Sequence, residues 1–181
     1  MTTYIALIRG INVGGNNMVA MADLRAFAAK IGLTGAQTLL QSGNMVFQSA
    51  LRTADAVEQL LETEAKKRLK LESEFHVRTV AEWQDAIKRN PFAEAAKTDP
   101  GHTIVSFFKV APSAKGATAL QAAIKGPELV RASGRQAYFV YPEGMGRSKL
   151  TPAMVDKHLG RGTARNWNTV MKLAALAAEG N

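Results

Sequence analysis

The sequence predicts an α+β fold made of two ferredoxin-like subdomains, each with the element order β-α-β-β-α-β. Three observations predict it. Apolar runs that suit buried strands alternate with segments whose apolar residues recur at helical spacing. The order found in the first half begins again in the second. The composition is that of a folded protein, since 46% of the 181 residues are hydrophobic and 21% are charged. We expect the subdomains at residues 1–90 and 91–181.

The first half shows the complete order. Its first strand is a continuous apolar run, typical of a strand buried on both faces. Thr53, followed by Asp55, is a good N-terminal cap for the second helix. The predicted elements are a strand at 4–8, a helix at 21–31, strands at 38–40 and 45–47, a helix from Thr53 to Leu69 and a strand at 75–80.

The second half repeats the order except at its end. A short helix that carries Trp83 ends at Asn90-Pro91, because proline disfavours helix in the residue before it. The elements predicted after it are a strand at 103–110, a helix at 113–124, strands at 128–131 and 136–141, and helices at 152–160 and 168–178. No fourth strand is visible, so we expect the two C-terminal helices to take its place.

Positive charge is concentrated near the end of the chain. The sequence has 23 basic and 15 acidic residues, a net charge of +8. Residues 145–172 contain six of the basic residues and a single acid, Asp156. Such a block is either a solvated face or a binding surface for phosphate or nucleic acid.

Several kinds of site are excluded by the composition and the motifs. The chain has no cysteine, so neither disulfides nor thiolate zinc sites are possible. The phosphate-loop and dinucleotide-binding motifs are missing, and the three histidines lack metal-ligand spacing, so we expect no metal and no cofactor. No stretch resembles a signal peptide or a membrane span, which favours a cytoplasmic protein that does not bind membranes.

The first candidate site combines two segments rich in glycine and asparagine. The loop at 9–17 follows the first strand, and the turn at 41–44 joins the second and third strands. The ferredoxin-like topology places both at one end of the sheet. Their candidate ligand-binding residues are Arg9, Asn12, Gly14, Gly15, Asn17, Ser42 and Asn44. The alternative is that both segments are tight turns that need positive φ angles.

The second candidate site combines the glycine-containing segment of residues 144–149, which we call the basic loop, with the start of the last helix. A helix N-terminus and cationic side chains both favour an anion. The candidate anion-binding residues are Arg147, Ser148, Lys149, Arg165, Asn166 and Asn168. Either Asn166 or Asn168 is expected to cap the helix. Trp167 either stacks on a base or belongs to the core.

We expect the two candidate sites to line one cleft between the halves. Each holds more hydrogen-bond donors than its turn requires. The first would contribute backbone N–H groups and amides, and the second would contribute cationic charge.

The motifs in these segments resemble the DUF1697 family. The resemblance rests on the string from Ile5 to Gly15, the turn Gln41–Asn44, Asn90-Pro-Phe92, Gly146–Lys149 and the string from Thr163 to Thr169. It spans nearly the whole chain and implies two ferredoxin-like subdomains. The family pattern usually has a lysine and a proline where this chain has Met18 and Ala20. The family's function is unknown, so the resemblance implies no reaction.

Three functions are consistent with these observations. The leading hypothesis is a binding protein for a phosphate-bearing partner, most favourably RNA. The alternative is an enzyme that acts on a small phosphorylated or nucleotide-like substrate, with Arg147, Lys149 and Arg165 stabilising charge. The third is a partner-binding module whose basic face only confers solubility. The residues assign neither a catalytic group nor an oligomeric state.

Overall fold

The computed structural model describes residues 1–179. Across those residues the chain forms eight strands and seven α-helices. In chain order they are β1 (Thr2–Ile8), α1 (Met21–Lys30), β2 (Thr34–Leu39), β3 (Asn44–Ser49), α2 (Ala54–Leu69), β4 (Phe75–Thr79), α3 (Val80–Lys88), α4 (Ala93–Thr98), β5 (Thr103–Phe108), α5 (Ala114–Ala123), β6 (Leu129–Ser133), β7 (Gln136–Val140), α6 (Pro152–Leu159), β8 (Gly162–Asn166) and α7 (Trp167–Glu179). The predicted α+β class is confirmed.

The chain divides into two compact units, which are described separately. Unit 1 comprises Met1–Gln84 and the segment that begins at Lys172, and unit 2 comprises Asp85–Met171. The domain boundary expected after residue 90 stays a prediction. Within the described residues, no helix combines the length and the apolar sequence needed to cross a membrane.

Unit 1 contains an antiparallel sheet with the strand order β2-β3-β1-β4. Residues 4–8 of the central strand β1 form a continuous apolar run, and their side chains are buried on both faces of the sheet. It pairs with β3, where Leu7 lies opposite Asn44, and with β4, where Ile5 lies opposite Arg78. On one face, side chains of β1 pack with the apolar stripes of α1 and α2 in a single core. This pairing sets where the loop after β1 emerges.

Unit 2 contains a second antiparallel sheet, with the order β6-β7-β5-β8. Its core is formed by one face of the sheet and by α5 and α6, with Ile104, Leu120 and Phe139 among the buried side chains. The opposite face is buried too, since Val105, Phe107 and Tyr138 are almost inaccessible to solvent. The Tyr138 hydroxyl donates to the Ala86 carbonyl at 2.6 Å.

The expectation that helices replace the last strand of the second half is wrong. Residues Gly162–Asn166 form β8, which pairs with β5 along its whole length, from Phe108 opposite Gly162 to Ile104 opposite Asn166. The five residues have no apolar alternation, so their sequence does not signal a strand. Their pairing with the strongly apolar β5 determines their conformation, because tertiary context overrides weak strand propensity.

Side-chain oxygens accept hydrogen bonds from the outer edges of both sheets. On β4, the Val77 N–H donates to Glu58 Oε1 at 2.8 Å and the Phe75 N–H donates to Glu62 Oε1 at 2.9 Å. On β6, the Val130 N–H donates to Gln121 Oε1 at 2.8 Å. In each unit the acceptors belong to the helix that packs beside the edge strand. They occupy edge donors that would otherwise be open to another strand.

Candidate functional site

The two segments of the first candidate site meet in unit 1. The Ile8 N–H donates to the Gly43 carbonyl at 2.8 Å, and Asn12 Nδ2 donates to the Gln41 carbonyl at 2.8 Å. These bonds follow from the pairing of β1 with β3, because the end of β1 lies beside the start of β3. The expectation that the topology brings the loop at 9–17 next to the turn at 41–44 is confirmed.

Asn12 holds the first loop in shape. Its backbone has the left-handed φ of 54° that asparagine tolerates better than most residues. Its side-chain oxygen accepts from the Val19 N–H at 2.8 Å, while Nδ2 donates to the Val19 and Gln41 carbonyls. The amide therefore uses both its donor and its acceptor groups on backbone.

Asn44 has the same function in the turn. It is fully buried, and its Nδ2 donates to the Leu39 carbonyl at 2.8 Å and to Ser42 Oγ at 2.9 Å. The buried Asn44 side chain therefore stabilises the conformation of the turn through these hydrogen bonds.

Most residues of the first candidate site are accessible to solvent. Gly14, Gly15, Asn17 and Ser42 are exposed, and Arg9 is half-buried. Asn17 has a left-handed φ of 49°, and its Nδ2 lies 3.4 Å from the Gly10 carbonyl. These residues offer polar groups to solvent around a loop that Asn12 fixes.

The basic loop of the second candidate site lies in unit 2. Gly144, with a φ of 80°, leads into a single 3₁₀ turn formed by Met145–Arg147. Arg147 and Lys149 are exposed on either side of the half-buried Ser148. The loop thus presents two cations to solvent.

Ser148 fixes the base of this loop. Its hydroxyl donates to Glu128 Oε1 at 2.5 Å and accepts from the Leu150 N–H at 3.0 Å. Glu128 is itself buried. Burial, together with the nearby Glu128 carboxylate, raises the pKa of Tyr141 to about 12. Because the Ser148 hydroxyl faces a carboxylate, it is better placed to order the loop than to bind an anion.

Arg165 lies on β8, opposite Val105 of β5. Its Nη1 donates to Thr163 Oγ1 and to the Ala164 carbonyl, both at 2.8 Å. Burial lowers the pKa of Arg165 to about 10, because a low-dielectric environment disfavours the charged form. The guanidinium is therefore a cation at neutral pH, held close to its own strand.

The start of α7 is already partly satisfied by protein groups. Asn166 Oδ1 accepts from the Thr169 N–H at 3.0 Å, which confirms Asn166 as a helix cap. The Trp167 N–H donates to the Pro100 carbonyl at 3.1 Å. Asn168 is exposed and Trp167 is half-buried. Fewer helix N–H groups are thus open to an anion than the sequence predicts.

An exposed acid–imidazole pair lies beside the basic loop and was not among the predicted residues. His102 Nδ1 lies 2.8 Å from Asp99 Oδ2. A Cβ atom placed on Gly144 would lie only 3.3 Å from His102 Nε2, so the basic loop passes directly against the imidazole. The sequence signal is the tight turn Asp99-Pro-Gly-His102, which brings an acid within reach of a histidine three residues later.

Cations extend beyond the loop. We call residues 145–165 the basic segment. It carries the exposed Arg147, Lys149, Lys157 and Arg161 and the half-buried Arg165, against one acid, Asp156. The first candidate site belongs to unit 1 and the basic segment to unit 2. The expectation that they line one cleft stays a prediction.

Comparison with known proteins adds the family and the fold. The family model described as a protein of unknown function (DUF1697) matches residues 1–138. Comparison with curated proteins gives no match. Among solved structures, the chain is similar to the conserved bacterial protein SP0830 from Streptococcus pneumoniae, with 23% identity and a TM-score of 0.76. The alignment covers 97% of this chain and 98% of that chain. At this identity, the likeness shows the fold alone.

Proposed function

The chain belongs to the DUF1697 family, whose function is unknown, and we therefore propose a function from the chemistry of its own surface. We infer that the protein binds a phosphate-bearing partner, RNA in particular, through the basic segment. The observation that carries this proposal is the exposure of Arg147, Lys149, Lys157 and Arg161 with a single acid between them. Exposed lysine and arginine side chains are the groups that neutralise phosphates.

The spacing of these cations favours a polyanion over a small phosphorylated ligand. Lys149 lies before α6, and Arg161 lies after it. A helix of eight residues is about 12 Å long at 1.5 Å per residue. Cations distributed over this length suit the successive phosphates of a nucleic acid.

RNA is favoured over duplex DNA by the residues around the cations. Trp167 is half-buried, and Asn168 beside it is exposed. Single-stranded RNA is bound by stacking bases on aromatic rings and by amide contacts to base edges. A location in the cytoplasm, where RNA is available, fits this proposal.

The proposal is tested by the salt dependence of RNA binding. Fluorescence anisotropy of a labelled single-stranded RNA would be measured at several salt concentrations. The logarithm of the association constant should fall with the logarithm of salt by about 0.7 for each phosphate neutralised. Replacing Lys149 and Lys157 with alanine should weaken binding and reduce this slope by about 0.7 per lysine.

A second double variant controls for overall charge. Lys30 and Lys67 are exposed lysines of unit 1, so their replacement with alanine removes the same charge elsewhere. Equal weakening by both double variants would contradict a site in the basic segment. The absence of RNA binding at low salt and micromolar protein would overturn the proposal. A shallow slope, typical of one or two phosphates, would favour a small phosphorylated ligand instead.

We also propose that each unit is a ferredoxin-like domain. The strand orders β2-β3-β1-β4 and β6-β7-β5-β8 support it, because the ferredoxin-like order 4-1-3-2 is the same sequence of neighbours. An experimental structure superposed on ferredoxin-like domains, unit by unit, tests this proposal through its helix crossovers.

A further inference from the structure

His102, Asp99 and the basic loop form a cluster that RNA binding alone does not use. His102 is about half exposed, at 46%, and so is Asp99, at 53%. Three backbone hydrogen bonds fix the main chain around Asp99 and His102. The His102 N–H donates to the Asp99 carbonyl, the Tyr141 N–H donates to the His102 carbonyl, and the Trp167 N–H donates to the Pro100 carbonyl. The imidazole is therefore fixed at its backbone and open to solvent at its ring.

The pairing with Asp99 determines which ring nitrogen is available. A carboxylate only accepts hydrogen bonds, so His102 Nδ1 carries the proton that it donates to Asp99 Oδ2 across 2.8 Å. In the neutral ring, Nε2 then has a free lone pair. That atom faces Gly144, whose lack of a side chain leaves room beside it, since a Cβ there would lie at 3.3 Å. An imidazole oriented in this way is arranged to accept a proton.

The same loop carries Arg147, whose guanidinium can stabilise negative charge on a phosphate. Arg147 is exposed and lies three residues beyond Gly144, at the end of the 3₁₀ turn Met145–Arg147. At about 2 Å of rise per residue, a 3₁₀ turn of this length advances by roughly 6 Å. The arginine side chain is long enough to cover that distance. We therefore assign to Arg147 the binding of a phosphate beside His102, since a guanidinium can bind two phosphate oxygens.

We propose that the protein cleaves the RNA that it binds, with His102 as the general base, Asp99 as its positioning residue and Arg147 as the group that stabilises charge. His102 Nε2 takes the proton of a ribose 2′-hydroxyl. The 2′-oxygen forms a bond to the adjacent phosphorus while the bond from phosphorus to the 5′-oxygen breaks. The leaving 5′-oxygen takes a proton from water, and the resulting hydroxide removes the proton from His102 Nε2, which restores the base. The products are a 2′,3′-cyclic phosphate and a 5′-hydroxyl. This inference rests on the proposed RNA binding.

The test measures binding and cleavage separately on the full chain. A single-stranded RNA labelled at its 5′ end is incubated with the wild type, with His102→Gln and with Gln59→Ala, an exposed variant in unit 1 outside both candidate sites. The wild type and Gln59→Ala should yield fragments ending in cyclic phosphate. His102→Gln should cleave on the order of 10²- to 10⁴-fold more slowly, the usual contribution of a general base. Its dissociation constant for RNA should be unchanged.

Two further measurements are specific to the mechanism. An RNA with 2′-deoxyribose at the cleaved positions should bind equally well and remain intact. Asp99→Asn should lower kcat and leave KM unchanged, because the amide no longer selects the proton position on His102. A loss of folding in that variant would lower both the RNA affinity and kcat.

Each result that contradicts these expectations overturns a specific part of the proposal. RNA that binds to the wild type but is not cleaved overturns this inference and leaves the proposed RNA binding intact. RNA that does not bind overturns the proposed function, and the inference with it. Equal cleavage by the wild type and His102→Gln, or cleavage of the deoxy-substituted RNA, overturns the assignment of His102 as general base.

Discussion

Gly43 packs against the first loop and the end of β1. Its φ is +77°, and a Cβ there would lie 2.7 Å from Ile11 Cδ1 and 2.9 Å from Ile8 Cβ. Gly43→Ala should therefore combine left-handed backbone strain with overpacking, at a total cost of roughly 2–4 kcal/mol in the free energy of unfolding. Urea denaturation would measure it.

Gly35 offers a matched control for that prediction. It has a similar φ of +61°, but a Cβ there would meet no atom within 4 Å. Gly35→Ala should cost only the backbone term, about 1 kcal/mol. If both variants lose the same stability, the contact with Ile8 and Ile11 is not the cause.

The two buried tyrosines of unit 2 predict a loss of stability at alkaline pH. Burial raises the pKa of Tyr138 and of Tyr141 to about 12, compared with 10 in an unfolded chain. Between pH 10 and 12 the folded state holds protons that the unfolded state has released, so raising the pH favours unfolding. Across this range, the free energy of unfolding should fall by about 1.4 kcal/mol per pH unit for each tyrosine.

The Tyr141→Phe variant tests the source of this loss. Urea midpoints of the wild type and of Tyr141→Phe would be compared from pH 8 to pH 11. The variant should lose less stability over the alkaline part of the range, because one of the titrating groups is gone. An identical alkaline loss in both proteins would assign the effect to other groups.

Asn12 and Asn44 show why composition alone does not separate structural from binding residues. The sequence predicts both as ligand donors because side-chain amides in glycine-rich loops are well suited to that role. In the folded chain their amides bond to the carbonyls of Val19, Gln41 and Leu39. The same amide groups serve either purpose, and the local sequence does not show whether a carbonyl lies within reach. His102 is not recognisable as a site residue in the sequence, because its ring lies beside Gly144 only when β5 and β7 pair.

At the scale of the element, the carboxylate of α2 that bonds to β4 supports a prediction about stability. Glu58 accepts from the buried Val77 N–H, and its Oε1 lies 4.0 Å from Arg78 Nη1. Glu58→Ala should leave the Val77 N–H without an acceptor and lower the free energy of unfolding by about 1–3 kcal/mol. Glu58→Gln keeps an oxygen acceptor and should cost less. Chemical denaturation would measure both.

Gln59 provides the control on the same helix. It neighbours Glu58 and is exposed, so Gln59→Ala should leave stability nearly unchanged. Equal stability of Glu58→Ala and Gln59→Ala would show that the bond to Val77 contributes nothing measurable.

The elements were predictable to different degrees for a physical reason. The strand of residues 4–8 and the helix capped by Thr53 were recognisable because each carries its own signal, an apolar run or a cap, and Thr53 accepts from the Ala56 N–H as expected. The strand β8 carries no such signal. Its conformation comes from pairing with β5, and long-range pairing is not encoded in a local pattern.

At the scale of the whole molecule, the expectation that the two candidate sites bind one ligand predicts coupling between their arginines. If the contact of Arg9 with an RNA molecule depends on the contact of Arg147 with the same molecule, the effects of replacing each arginine on the free energy of binding should not be additive. We predict that the Arg9→Ala, Arg147→Ala double variant deviates from the sum of the single variants by at least about 0.5 kcal/mol. Anisotropy titrations of all four proteins complete the cycle.

Additive effects would contradict that prediction. They would mean that the two candidate sites act independently on the ligand. The sequence alone could not settle the matter, because how two folded units pack depends on surface complementarity that no local motif reports.

The direct junction of β8 and α7 restricts how the length of this chain can change. Asn166 is paired with Ile104 in the sheet, its side chain caps α7 at Thr169, and Trp167 already belongs to the helix. A single inserted residue would either break the cap or move β8 by one position, which turns every side chain of the strand to the opposite face. Arg165 would then point into the core that Ile104 and Phe108 help to form. An insertion or deletion at this junction should therefore destabilise the protein, because it cannot preserve both the strand register and the helix cap.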